Sequence, residues 1–165
     1  MYSLQPPAAR HCVLVVDDDP DARRQLRRLL AANNYDVIEA GNGRIARGIL
    51  AEQEIRLVVT DIFMPECDGF ELIAAIREMA QPVPVIAMSD PESWTGLSFL
   101  DAANDLGAAA VIEKPFRASA LLHLISDAMT AARTEARVVR AGARVERERS
   151  CVPADLEWLG GRPPN

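Results

Sequence analysis

Five short apolar runs alternate with five helical patterns along most of this chain, and that alternation narrows the fold more than any other feature. The runs are residues 11–17 (HCVLVVD), 35–40 (YDVIEA), 55–60 (IRLVVT), 83–88 (VPVIAM) and 108–113 (AAAVIE). The first, third and fourth are near-continuously apolar and rich in valine and isoleucine. Such runs suit strands buried on both faces, as in a parallel sheet. Helical patterns fill the intervals at 20–33, 43–53, 69–80, about 94–106, and from 118 onward. In the first of these, Leu26, Leu29, Leu30 and Asn33 share one face and arginines the other. Short connections and right-handed crossovers turn repeated βα units into a doubly wound α/β sandwich.

Five such units most simply take the strand order 2-1-3-4-5, a flavodoxin-like, three-layer arrangement. The topological switch then falls between strands 1 and 3, and ligands bind beyond the carboxyl ends of the strands there. The first run ends in Asp17 and Asp18, the third is followed by Asp61, the fourth by Ser89, and the fifth leads into Lys114. Polar groups therefore gather at the carboxyl ends of four neighbouring strands.

Three adjacent aspartates, Asp17 to Asp19, repel one another, by roughly 4 kcal/mol per pair at 4 Å and an effective dielectric of about 20. Asp19 has a structural task, because Pro20 suits the first position of a helix and an aspartate before it suits the N-cap. Asp17 and Asp18 then face Asp61 across the switch point. Three converging carboxylates are unfavourable unless a cation joins them or one takes a proton. An all-oxygen set in a wet cleft suits Mg²⁺.

Composition bears on the function class. Residues 1–130 hold 11 basic and 19 acidic residues, net −8, whereas residues 131–165 hold 7 and 5, net +2. An acidic body argues against a nucleic-acid surface. All basic residues are arginines except Lys114, which suggests a position that needs a compact ammonium. No apolar run reaches the roughly 20 residues of a membrane span, and the N-terminal stretch lacks a signal-peptide layout. Cys12, Cys67 and Cys151 have no metal-like spacing and read as free thiols in a reducing cytoplasm.

With Asp17-Asp18, the stretch TDIFMPECDGFEL (60–72), Ser89 and EKPF (113–116) in place, the chain resembles the receiver domain of two-component response regulators over about residues 11–130. The resemblance implies a phosphorelay signalling protein in which Asp61 accepts a phosphoryl group. The donor would be a sensor histidine kinase, a histidine phosphotransfer protein or a small phosphodonor. It implies Mg²⁺ held by Asp18 directly, Asp17 mainly through water, Asp61, and the backbone carbonyl of Phe63. Lys114 would pair with Asp61 and then with the phosphoryl group, across a cis Lys114–Pro115 bond. Ser89 would donate its hydroxyl to a phosphoryl oxygen. Met64-Pro65 and Asp68-Gly69 would shape the loop after Asp61.

Three departures stand out. Receivers usually carry a small residue after the Ser/Thr, where this chain has Asp90 followed by Pro91. Asp90 either points into the site, adding negative charge beside the phosphoryl group, or points outward and caps the next helix; the outward placement is expected. The usual switch aromatic is replaced by Val111. The stretch 89–107 runs a few residues long and holds Trp94 and Phe99, candidates to replace that aromatic.

The expected organisation is an N-terminal tail (1–10), a receiver domain (11–130) and a C-terminal extension (131–165) that is partly helical, then flexible. The extension is too short for the usual DNA-binding output domain. Ala128, Ala132, Ala136, Val139 and Ala143 form a thin apolar stripe compatible with a homodimer or a docking helix. The resulting expectation is a cytoplasmic, stand-alone receiver that switches an unidentified output protein, without nucleic acid or membrane as partner. Its only chemistry would be its own phosphorylation and dephosphorylation. Alternatives are a phosphorelay intermediate feeding a histidine phosphotransfer protein and a degenerate receiver acting as a constitutive binding module. An aspartate-nucleophile hydrolase fits poorly, because its D-x-D pattern would need an aspartate where Phe63 stands.

Overall fold

The computed structural model describes residues 11–64, 69–90 and 99–150, with side chains omitted at 99–101 and 135–150. Five strands and five helices alternate: β1 (Cys12–Val16), α1 (Pro20–Ala32), β2 (Asp36–Ala40), α2 (Gly43–Glu52), β3 (Leu57–Asp61), α3 (Gly69–Arg77), β4 (Val85–Ser89), α4 (Phe99–Asp105), β5 (Ala110–Glu113) and α5 (Ala118–Ser150). All strand pairs are parallel, in the order β2-β1-β3-β4-β5. The flavodoxin-like order drawn from the apolar runs is the order found. The chain divides into two compact units at Ala132/Arg133.

In the first unit each central strand is buried on both faces and feeds two cores. Leu14 and Val16 of β1 pack with Leu50, Val58, Ile62, Leu72 and Ile76 on the face covered by α2 and α3. Val13 and Val15 pack with Leu26, Leu30, Val59, Leu121 and Ile125 on the face covered by α1 and α5. This two-sided burial is why the runs read as continuous rather than alternating. In the second unit, Arg133–Ser150 is helical, as the continuation of the fifth helical pattern implies.

Local chemistry sets the element ends. The Asp19 side chain accepts the Asp21 N–H at 2.9 Å and caps α1, with Pro20 as the first helical residue. Asn34, with φ of 65°, makes the left-handed turn after α1 that asparagine tolerates. The Asn42 side chain accepts the Ile45 N–H at 2.8 Å and caps α2. Several boundaries differ from the expected ones by one to three residues, and two of the differences have a local cause. β4 begins at Val85 rather than 83, because Pro84 has no N–H for the ladder and contributes only its carbonyl, which accepts from Val58 N–H at 3.0 Å. α3 ends at Arg77 rather than 80; Met79 N–H turns back to Ile76 O at 3.1 Å, and Pro82 disfavours helical backbone at Gln81. The first part of the expected fourth helix, with Trp94, lies outside the described residues, as does the Phe99 side chain. Val111 is half-buried on β5.

Candidate functional site

The sheet register delivers the site. Val16 of β1 lies opposite Thr60 of β3, so Asp17 leaves the sheet beside Asp61. Asp61 is level with Met88, one residue before Ser89, and Ser89 is level with Glu113, one residue before Lys114. Asp17, Asp61 and Ser89 are all at most 5% exposed, among apolar strands.

Asp17 is held at both carboxylate oxygens. Oδ1 accepts the Asp19 N–H at 2.9 Å, and Oδ2 accepts from Lys114 Nζ at 3.2 Å. Lys114 Nζ also lies 3.3 Å from Asp61 Oδ1, so one ammonium bridges two buried carboxylates. Asp61 Oδ1 additionally accepts the N–H of Ile62 at 2.9 Å. Its backbone carbonyl accepts the Thr60 hydroxyl at 2.9 Å, which gives buried Thr60 a partner. Among the described residues the Ser89 hydroxyl reaches only the Asp90 carbonyl, at 3.5 Å, the outer edge of hydrogen-bond range. Phe63 is half-buried against the core on the α2–α3 face. The Lys114–Pro115 bond is cis.

Burial raises the Asp61 pKa; Lys114 opposes the rise, and the neighbouring Asp17 adds to it. For Lys114, burial pulls downward, but Asp61 and Asp17 together outweigh it and leave the pKa raised. Asp17, Asp18 and Asp61 each place a carboxylate oxygen within 4.8 Å of the others, and Asp18 is exposed to water. An all-oxygen donor set with a wet side fits a hard divalent cation such as Mg²⁺.

Every expected site residue among strands β1, β3, β4 and β5 thus meets at one end of the sheet. Cys67 and Pro65 lie outside the described residues. Two contacts escaped the sequence reading. Lys114 pairs with Asp17 as well as Asp61. Arg23 of α1 donates from Nη1 to the Asp17 backbone carbonyl at 2.6 Å, while its Nε lies 3.8 Å from Glu39 of β2. An arginine four residues after the helix cap was the available signal, but its backbone acceptor has no sequence signature.

Residues 13–126 match the family model for the response regulator receiver domain. Response regulator MprA of Mycolicibacterium vanbaalenii is 36% identical over 110 residues, covering 67% of this chain and 46% of that protein. Its counterpart from Mycobacterium avium is 34% identical over the same length, covering 47% of that protein. The chain therefore spans about half the length of these curated relatives. Among solved structures, a response regulator receiver protein from Pseudomonas putida is 31% identical with a TM-score of 0.64, covering 73% of this chain and 98% of that one. Chemotaxis protein CheY4 of Vibrio cholerae is 26% identical with a TM-score of 0.66, covering 73% and 99%.

Proposed function

The chain belongs to the response regulator receiver domain family, and from that membership we propose that it is a phosphorylation-controlled switch of protein interactions with Asp61 as the phosphoryl acceptor. The observation that carries the reading is the Lys114 ammonium bridging Asp61 and Asp17 beside exposed Asp18 at the carboxyl end of the sheet.

Asp61 Oδ1 takes the contacts from Ile62 N–H and Lys114, so we assign Oδ2 as the attacking oxygen. A lone pair on Oδ2 forms the new O–P bond while the N–P bond of a phosphohistidine breaks. The departing imidazole nitrogen takes the bonding electron pair and then a proton. The product is an acyl phosphate on Asp61, and water later cleaves it to the free carboxylate and inorganic phosphate. Lys114 stabilises the charge on the transferring oxygens as a point cation. Ser89, released from its long contact to the Asp90 carbonyl, donates to one of those oxygens. Asp17, Asp18, Asp61 and the Phe63 carbonyl would hold Mg²⁺, which supplies further charge neutralisation for the phosphoryl oxygens when bound. Asp17, fixed at both oxygens, suits contact through water, and exposed Asp18 suits direct contact. The donor partner is a sensor histidine kinase or a histidine phosphotransfer protein, and the output is a change in binding to a protein partner.

Incubation with acetyl phosphate, with and without Mg²⁺, followed by intact mass spectrometry tests this. One added phosphoryl mass in wild type with Mg²⁺, and none in Asp61→Asn, is expected. Equal labelling of Asp61→Asn moves the acceptor elsewhere, and an unlabelled wild type favours a constitutive binding module.

A further inference from the structure

We infer that Asp90 is a specificity-determining residue that selects phosphodonors by charge, disfavouring small polyanionic donors relative to donors that bring their own positive charge. The inference rests on the phosphoacceptor reading of Asp61.

Asp90 lies two residues beyond Met88, the register partner of Asp61. It is exposed, and it lines an open groove of about 580 Å³ that runs from the site along α1. Among the described residues the charged lining of that groove is Asp17, Asp19, Asp90 and Lys114, three acidic residues and one lysine. Lys114 is committed to Asp17 and Asp61. Asp17 is buried and paired with it, and Asp19 holds the helix cap. Asp90 is the exposed carboxylate of this lining whose side chain has no hydrogen-bond or ion-pair partner among the described residues. An anion that approaches Lys114 through this groove does so within the field of Asp90. A phosphohistidine on a protein surface with lysine or arginine beside it cancels that field, whereas a free acyl phosphate cannot.

Two strand residues correspond to roughly 7 Å of rise, so the separation is on the order of 8 Å. At that distance, in a water-like dielectric and at about 10 mM ionic strength, one unit charge changes the local concentration of a monoanion about twofold and of a dianion about fourfold. At about 1 M salt, with a screening length near 3 Å, both effects vanish.

The test compares acetyl phosphate, a dianion at neutral pH, with phosphoramidate, a monoanion, as donors to wild type, Asp90→Asn and Asp90→Ala in the presence of Mg²⁺. Initial rates are read by intact mass. Both variants are expected to gain about fourfold with acetyl phosphate and about twofold with phosphoramidate at low salt, and nothing at about 1 M salt. Equal gains for the two donors, or gains that survive high salt, point to a steric role and overturn the inference. No gain with either donor also overturns it. A wild type that neither donor labels removes the phosphoacceptor reading, and this inference with it. A labelled wild type with charge-independent gains removes this inference alone.

Discussion

Gly69→Ala is the substitution whose outcome the geometry constrains most tightly. Gly69 opens α3, and its N–H donates to Ile62 O at 2.8 Å. A Cβ built there would stand 2.3 Å from the Asp61 carbonyl oxygen, 2.8 Å from Ile62 Cα and 3.1 Å from the Asp61 carbonyl carbon. All three are backbone atoms, so no side chain can swing away. Restoring ordinary contact requires about 1 Å of relative movement between the start of α3 and the end of β3. Overpacking of a close-packed interior costs about 1–3 kcal/mol, and rigid backbone on both sides places this case at about 3 kcal/mol. With a urea m-value near 1.5 kcal/mol/M, the unfolding midpoint should fall by about 2 M. Since 1 Å of misplacement at a reacting group can cost about 10²-fold, phosphorylation of Asp61 should slow by up to that factor. Gly48→Ala is the matched control. Gly48 sits mid-helix in α2 with nothing within 4 Å of its added Cβ, and the change should stabilise by about 1 kcal/mol. An unchanged midpoint together with an unchanged phosphorylation rate in Gly69→Ala would refute the reasoning, because α3 would then be free to shift without moving Asp61.

In a Mg²⁺ titration, Asp18→Asn should weaken binding at least tenfold, whereas Asp19→Asn should leave it within about twofold, because asparagine also caps α1; the reverse ranking would undo the division of labour among the three aspartates. The raised Asp61 pKa means that its ionised form is disfavoured by the fold, so in EDTA Asp61→Asn should be more stable than wild type at pH 7. Protonation on lowering the pH relieves the wild-type penalty, so this advantage should shrink as pH falls through the folded-state pKa and disappear below the usual carboxylate range; urea midpoints across pH 7 to 4 read it, and a constant difference contradicts it. Ile125 is fully buried against β1 and β3, and Ile125→Ala should cost about 2–5 kcal/mol by the same measurement.

Much of the fold was legible because parallel strands carry their burial openly. Val13 to Val16 read as one apolar run since successive side chains enter two different cores, and the acidic and basic residues that close the runs fall at one end by topology alone. Asp19 was legible through Pro20, a local signal. What escaped depends on side chains meeting from distant elements. Arg23 reads as part of the solvated face of α1, yet its guanidinium turns back to a backbone carbonyl at Asp17, an acceptor every residue possesses. Lys114 could be assigned to Asp61 by resemblance, but its second partner follows from the seating of the Asp17 carboxylate, which the Asp19 N–H fixes. The placement of Asp90 along the groove was open for a similar reason. Its two candidate positions differ by a local turn, and its expected capping partners lie beyond the described residues.

The charge arithmetic of the site explains why these residues form a coherent set. Asp17 and Asp61 are buried and share one ammonium, so the paired group carries one net negative charge. Asp18, at the same edge, makes it two. Burial of charge is costly, and burial is the first cause of the raised pKa of Asp61, with the Asp17 charge adding to it. A second lysine would still leave one negative charge and would also tie down the remaining Asp61 oxygen and block attack on phosphorus. A divalent cation restores neutrality through oxygen ligands and leaves one carboxylate oxygen for the chemistry. The raised pKa of Asp61 comes first from burial and then from the neighbouring Asp17 charge, with the bridging Lys114 opposing both. Asp90 stands just outside that balance, where its charge acts on arriving donors and spares the group that receives them.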